Sequence, residues 1–172
     1  MGYDAIVSTT EKPETAPETR WLDADERAAW LSLAGVVTLL PAALDAQLQR
    51  DAGLSHFEYM VLAMLSERPS RTARMSELAG LANGSLSRLS HVARRLEEQG
   101  LITRHACAED RRATNAVLTD AGYAKVVDTA PGHVETVREL VFDALTPAQC
   151  AQLQAIGTQV LGRVNPGGDC PR

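Results

Sequence analysis

The chain has 172 residues, of which 45% are hydrophobic and 23% are charged, and these proportions are typical of a soluble globular protein. Its formal net charge of −5 argues against a protein whose whole surface binds nucleic acid, and its three scattered cysteines argue against a disulfide framework. Because no apolar run approaches the roughly 20 residues of a membrane helix and the acidic N-terminus resembles no targeting signal, we expect a cytoplasmic protein without membrane contact.

The first 52 residues are predicted to contain a mobile tail and one long helix. Residues 1–22 hold two prolines, several acidic residues and few large apolar side chains, which is typical of a mobile tail. Residues 23–52 form an amphipathic helix in this interpretation, because Trp30, Leu33 and Val37 recur at spacings of three and four. Gly53 is expected to end this helix.

Residues 53–119 carry the signals of a small lobe that ends in a β-hairpin. Ser55 and Glu58 have the spacing of a capping box, which marks the start of a helix. Gly100 stands where helices commonly end. The predicted elements that follow the first helix of the lobe are a short helix over 76–81, a turn over 82–84, a second helix over 85–99, and two strands over 101–105 and 113–118.

Residues 120–165 are predicted to form C-terminal helices, and residues 166–172 a short stub. Thr119 caps the first of these helices, and Thr146 followed by proline begins the last. The apolar stripes of the first and last helices are too hydrophobic for a lobe this small to leave in water, so we expect them to form a dimer interface. Its predicted residues are Trp30, Leu33, Val37, Leu153, Ile156 and Val160.

The net negative charge of the whole chain conceals a positively charged central segment. Between residues 68 and 112, nine arginines outnumber five acidic residues, a balance of +4, so the rest of the chain carries −9. This asymmetry is expected when one surface meets a polyanion, although a solvated charged face would show it too. The arginines are Arg68, Arg71, Arg74, Arg88, Arg94, Arg95, Arg104, Arg111 and Arg112.

The order of elements in the lobe is that of a winged helix-turn-helix. The second helix has Leu89, Val92 and Leu96 on one face. The opposite, outward face of this helix carries hydroxyls, arginines and a histidine, which are groups that contact base edges and phosphates. This outward set comprises Leu86, Ser87, Arg88, Ser90, His91, Arg94 and Arg95.

Five sequence runs in and just after this lobe resemble those of the multiple antibiotic resistance regulator (MarR) family. An Asp-x-Arg wing signature is followed at the right distance by Leu-Thr-x-x-Gly, and the similarity in helical layout extends over roughly residues 25–165. The motifs stand as Met75-Ser76-Glu77-Leu78-Ala79, Ser85-Leu86-Ser87-Arg88-Leu89, Arg95-Leu96-Glu97-Glu98-Gln99-Gly100-Leu101-Ile102, Glu109-Asp110-Arg111-Arg112-Ala113 and Val117-Leu118-Thr119-Asp120-Ala121-Gly122.

The resemblance implies a mainly α-helical homodimer with a β-hairpin wing, in which the terminal helices interleave and two winged lobes dock on a palindromic DNA operator. It implies a transcriptional regulator, by family habit a repressor, that associates with the nucleoid when bound. It also implies that a small aromatic or phenolic effector releases the DNA in many members, without naming the residues that would bind one here.

Carried over by position, the resemblance assigns the DNA contacts. Arg112 matches the wing arginine that enters the minor groove, and Asp110 matches the acid that braces it. Arg94 and Arg95 are predicted phosphate contacts, and Arg71 and Arg74 are open between a backbone contact and simple solvated charge. The residues that match major-groove positions are Ser85, Ser87, Arg88, Ser90 and His91.

Three alternatives are weaker. Catalysis and cofactor binding are not expected, because the histidines and cysteines fall on separate elements without a nucleophile–base pair, a metal helix or a phosphate loop. A metal- or redox-responsive sensor would use His105 and Cys107 in the wing, with Glu109 and Asp110 nearby, but we expect Cys107 to be an exposed, inert thiol. A winged module that binds a protein partner would be expected to lose Arg88 and Arg112, and both are present.

Overall fold

Six helices and three short strands make up the part of the chain that the computed structural model describes, which is residues 19–81, 85–107, 110 and 113–166. Two short 3₁₀ turns, Pro69–Arg71 and Phe142–Ala144, join some of them. In chain order the elements are α1 (Ala24–Ala52), α2 (His56–Ser66), β1 (Thr72–Arg74), α3 (Met75–Leu81), α4 (Leu86–Glu98), β2 (Ile102–Ala106), β3 (Thr114–Leu118), α5 (Asp120–Leu140) and α6 (Pro147–Val164).

The predicted fold class, mainly helical with a β-hairpin wing, is confirmed. Strands β2 and β3 pair antiparallel with Ile102 opposite Leu118, as the hairpin prediction requires. The structure adds a third strand: β1 pairs antiparallel with the other edge of β3, with Ala73 opposite Ala116. A strand of three residues is too short to show an alternating pattern, and for that reason the sequence did not reveal β1.

Predicted helix starts lie where the side chains can cap them. Ser55 and Glu58 form the capping box before α2: the Ser55 N–H donates to Glu58 Oε2 at 2.8 Å. Thr146 does the same with Gln149 before α6, and Ser85 caps α4. Gly100 ends α4 with a φ of +72°, a left-handed conformation that favours glycine.

The hydrophobic core lies within the lobe, between α2, α3, α4 and the sheet. It is built from the apolar faces that the spacing in the sequence predicted, and several of its leucines are fully buried. The largest fully buried apolar side chains are Leu48, Leu54, Leu62, Leu65, Leu78, Leu89, Leu96 and Ile102. This core holds α4 with its opposite face outward.

Gly122 stands at the close contact between the first turn of α5 and the wing. A methyl group on its Cα would overlap the Leu101 carbonyl oxygen and lie 2.7 Å from Leu118 Cδ1. Thr119 secures the same junction, because its hydroxyl donates to the Gly100 carbonyl at 2.7 Å and accepts the Gly122 N–H at 2.9 Å. The Leu-Thr-x-x-Gly motif is therefore the junction between the wing and α5.

The terminal helices leave apolar side chains exposed. No residue of α6 is buried, although Leu153, Ile156 and Val160 lie on it. Trp30, Leu33 and Val37 of α1 are likewise exposed. Within one chain the apolar side chains of both terminal helices therefore stay exposed.

The predicted domain boundaries at residues 22, 52, 119 and 165 stay predictions. Contacts within the chain divide it instead into two compact units, one ending at Val36 and the other beginning at Val37. In the first unit, residues 24–36 form the start of α1. The predicted tail and stub lie mostly outside the described residues.

One expectation about α1 is wrong. Among the described residues, Ala24–Ala52 is a helix long and apolar enough to cross a membrane by length and composition alone, with a mean hydropathy of 1.6 over 18 residues. The sequence prediction considered a shorter run, 33–40, whereas the uncharged stretch of this helix extends from Ala28 to Leu44. That apolar surface includes the side chains predicted to lie in the dimer interface.

Candidate nucleic-acid interface

The outward face of α4 is polar and open. Ser87, His91 and Arg94 follow one another at helical spacing and are all exposed. The Arg94 Nη2 lies 3.5 Å from His91 Nδ1, and its Nε lies 3.9 Å from Glu98 Oε1, a pair exposed enough for the guanidinium to leave it readily. This face therefore presents a hydroxyl, an imidazole and a mobile cation to the outside.

Two predicted contact residues also shape the helix itself. Ser85 Oγ accepts the backbone N–H of Arg88 at 3.1 Å, so its hydroxyl hydrogen remains able to donate elsewhere. Ser90 donates its hydroxyl to the Leu86 carbonyl at 2.8 Å, which leaves its oxygen lone pairs as acceptors. Leu86, 53% exposed beside them, has the chemistry to contact a thymine methyl group.

Arg88 lies at the edge of α4 that faces α2. Its guanidinium carbon stands 4.5 Å from the centre of the Phe57 ring, a cation–π contact. No carboxylate of the described residues pairs with Arg88. Sequence patterns assigned Phe57 to the core and gave no sign of this contact, since residues 57 and 88 meet only through the packing of α2 on α4.

Arg95, about two helical turns beyond Arg88 on the same edge of α4, contacts α2 as an ion pair. Its Nε lies 3.3 Å from Oε1 of Glu58, a carboxylate that is 0% exposed. That oxygen accepts no hydrogen bond from the described residues, while Oε2 accepts from Ser55. Arg95 therefore neutralises a buried carboxylate, and this structural role explains an arginine at position 95 without any contact with DNA.

The wing side of α4 is fixed by a second ion pair. Glu97 accepts from Arg104 Nη2 at 2.6 Å, from its Nε at 2.9 Å and from its backbone N–H at 3.0 Å. These hydrogen bonds lower the pKa of the Glu97 carboxyl, and the Arg104 charge adds to the effect. Arg104 thus joins α4 to β2.

The tip of the predicted wing lies partly outside the described residues. Arg112, the predicted minor-groove arginine, is one of those not described, as are Arg111 and Glu109. Asp110, its predicted brace, is exposed and its carbonyl accepts the Ala113 N–H at 2.9 Å. A cavity of about 350 Å³ separates α4 from the wing, lined by residues of both and of α3: Arg74, Met75, Ser76, Leu86, Ser90, Arg104, Asp110, Ala113 and Thr114.

The two residues of the sensor alternative differ in their exposure to solvent. Cys107 is buried, which corrects the expectation of an exposed thiol, and Arg74 Nη2 lies 4.0 Å from its sulfur. His105 is exposed and its ring nitrogen lies 3.0 Å from Thr103 Oγ1. Among the described residues no group of three potential metal ligands comes together.

Arg71, left open in the sequence, is held by α5. Its Nη1 donates to Asp120 at 3.0 Å and its guanidinium carbon lies 3.8 Å from the centre of the Tyr123 ring. Both Ser70 and Arg71 have positive φ, 56° and 49°, a conformation that costs energy in residues other than glycine. The two contacts from α5 hold this strained turn in place.

Comparison with known proteins identifies the chain. The family model described as "MarR family" matches residues 54–114. The crystal structure of Sco3205, a MarR family transcriptional regulator from Streptomyces coelicolor in complex with DNA, is 47% identical, covers 88% of this chain and 95% of its own, and superposes with a TM-score of 0.84. The chain belongs to the MarR family.

Two further MarR-type relatives agree. AbsC from Streptomyces coelicolor, a MarR family transcriptional regulator, is 38% identical over 84% of this chain and 99% of its own, with a TM-score of 0.75. The transcriptional repressor MprA of Escherichia coli K12 is 26% identical over 113 residues, and this chain spans 64% of its length. The relatives with 47% and 38% identity are both MarR family transcriptional regulators, and the former was crystallised in complex with DNA.

This MarR-family chain also has a histidine pair between α2 and α5. The rings of His133 and Tyr59 have centres 4.7 Å apart, and those of His133 and His56 have centres 6.1 Å apart. The Gln47 amide nitrogen donates to Asp51, so its oxygen faces His133 Nδ1 at 3.1 Å, and that ring nitrogen carries the hydrogen. Sequence patterns gave no sign that residues 56 and 133 are neighbours.

Acid is expected to destabilise the protein through this pair. Burial lowers the pKa of His133, as does the charge of His56; burial also lowers the pKa of His56, against an opposing effect of Asp45. The unfolded chain then binds more protons than the folded one below about pH 6.5. The contribution of this pair to the free energy of unfolding is therefore complete above that pH and is lost as the pH falls below it.

Urea unfolding between about pH 7.5 and about pH 5.5 measures this effect. His133→Gln should give a flatter pH dependence than the wild type, because the proton uptake of one buried imidazole is removed. The matched control is His105→Gln, which removes an exposed histidine of β2. Equal slopes for the wild type and His133→Gln would contradict the prediction.

Proposed function

We propose that this protein binds a palindromic DNA operator as a homodimer and represses transcription from it in the bacterial cytoplasm. The observation that carries the proposal is α4, an exposed helix of hydroxyls, imidazole and arginine that stands on a fully buried leucine face. Those are the groups that contact base edges and phosphates in a major groove. The relative with 47% identity was crystallised with DNA, which supports the proposal.

The proposed subunit partner is a second copy of the chain. Helix α6 buries none of its residues within one subunit, although Leu153, Ile156 and Val160 are apolar. Exposed apolar surface on this scale is expected at an interface between subunits. Trp30, Leu33 and Val37 of α1 are the other proposed members of that interface.

The proposed DNA contacts divide into base readers and phosphate contacts. Arg94 reaches phosphates from the open face, and Arg112 enters the minor groove with Asp110 as its brace. Arg95 is held in its ion pair with Glu58, so its proposed contribution to DNA binding is limited to the electrostatic attraction of its charge. The proposed major-groove readers are Ser85, Ser87, Arg88, Ser90 and His91. Release by a small aromatic or phenolic effector stays a prediction.

Salt dependence of DNA binding tests the proposal. A selection from random duplex DNA supplies the probe, and titration at several salt concentrations measures its affinity. With about one phosphate neutralised by each of Arg88, Arg94 and Arg112 in both subunits, the slope of log affinity against log salt should be about −5. Light scattering of the complex should give two protein chains per duplex.

Arg112→Ala provides the matched comparison in the same assay. It should weaken binding to every duplex and make the salt slope shallower, with altered preference only at A·T-rich flanking positions, because the minor groove offers little more than an A·T against G·C distinction. A flat salt response of the wild-type protein, or no enriched duplex, would rule the proposal out.

A further inference from the structure

We infer that Phe57 is a positioning residue for DNA specificity, which holds the Arg88 guanidinium in the orientation that reads a base. The inference rests on the proposed function, because it requires that Arg88 contacts DNA. It assigns to an α2 residue outside the DNA-binding helix a role in base discrimination.

The geometry leaves Arg88 oriented and still able to donate. A guanidinium stacked on an aromatic ring uses its flat face for the contact, whereas its N–H donors point outward in the plane of the group. In this structure the ring centre lies 4.5 Å from the guanidinium carbon, and no carboxylate of the described residues engages those donors. The contact with Phe57 thus holds the Arg88 guanidinium in place, and no carboxylate of the described residues uses the N–H donors that would pair with a guanine edge.

Phe57 is itself rigid. The residue is 9% exposed and belongs to the core cluster of the lobe, and the capping box that starts α2 is formed by Ser55 and Glu58 on either side of it. A free arginine side chain has many rotamers, and ordering them on binding costs free energy that a preformed stack has already met. The Phe57 ring therefore limits the directions in which Arg88 can point before DNA arrives.

Arg95 provides the contrast on the same helix edge. Its Nε is directed to the buried carboxylate of Glu58 at 3.3 Å, so its contact with α2 occupies a donor. The two arginines lie seven residues apart on α4, and α2 contacts both. Of these two guanidinium groups, only that of Arg88, which contacts an aromatic ring, keeps all its N–H donors available for DNA.

The test measures discrimination, with the duplex most enriched by the wild-type protein as probe. Its affinity is compared with that of single-base variants and of a random-sequence duplex, for wild type, Phe57→Leu, Phe57→Tyr and Arg88→Ala. Phe57→Leu should lose about threefold to fivefold discrimination per half-site at the base that Arg88 reads, while binding of the random duplex is unchanged. Phe57→Tyr keeps the ring and should discriminate like the wild type.

In an Arg88→Ala background, Phe57→Leu should cause no further loss, because the residue it positions is gone. Should Phe57→Leu fold poorly, Phe57→Met removes the ring with a more adaptable side chain, and the same loss is expected. If Arg88→Ala loses discrimination and neither Phe57 variant does, the proposed function stands and the inference is overturned. If no duplex is enriched by the wild type, the proposed function itself fails.

Discussion

Gly122→Ala is expected to be strongly destabilising. Its added methyl group would overlap the Leu101 carbonyl oxygen and approach Leu118, and a backbone oxygen cannot move aside as a flexible side chain can. Either α5 or the start of the wing must shift, which also disturbs the hydrogen bonds of Thr119. Overpacking of this kind should lower the free energy of unfolding by about 3 kcal/mol or more.

Urea or thermal unfolding measures this loss, and Gly80→Ala is the matched control. Gly80 lies in α3, and a Cβ there would meet no atom within 4 Å. That substitution should be neutral or stabilise the protein by up to about 1 kcal/mol, because alanine loses less backbone entropy in a helix than glycine. An unchanged unfolding midpoint for Gly122→Ala would show that α5 does not approach Leu101 this closely.

Arg95→Ala is expected to cost stability more than DNA affinity. It would leave the buried Glu58 carboxylate without its ion-pair partner, an arrangement that costs about 3–5 kcal/mol for fully buried pairs. Because the Arg95 side chain is 58% exposed and water can reach that side of the pair, we expect about 2 kcal/mol. Chemical denaturation of the purified variant gives the value.

The double variant Glu58→Gln/Arg95→Met distinguishes this role from a phosphate contact. Glutamine at position 58 can still accept from Ser55 in the capping box but carries no charge, so the double variant should recover most of the lost stability. In the DNA titration, Arg94→Ala should make the salt slope shallower by about 2 for the dimer. A similar change for Arg95→Ala would identify Arg95 as a phosphate contact after all.

Local patterns predicted most of the fold. The capping box at Ser55, the Thr146 cap followed by proline, the glycine at position 100 and the spacing of buried leucines each depend on residues a few positions apart. The structure has helices and strands where these signals indicated them. Strand β1 was missed because its partner, β3, lies more than forty residues away in the chain. Pairing over such a distance leaves no signature within three residues.

The candidate site divides in the same way. The polar face of α4 follows from helical periodicity, and the exposed positions of Ser87, His91 and Arg94 agree with it. The contacts of Arg88 and Arg95 with α2 depend on how two helices pack, and composition cannot distinguish a free arginine from one held by a buried carboxylate or ring. Sequence therefore predicted which residues lie on this helix and which way it faces, and left their partners unknown.

The first turn of α2 touches two helices on opposite sides within four consecutive residues. His56 and Tyr59 contact His133 of α5, whereas Phe57 and Glu58 contact Arg88 and Arg95 of α4. The capping box and the hydrogen bond from the Tyr59 N–H to the Ser55 carbonyl at 2.9 Å tie these residues to one another. A rotation of this turn that begins at its contact with α5 would therefore also displace Phe57 and Glu58, and with them the contacts of both arginines.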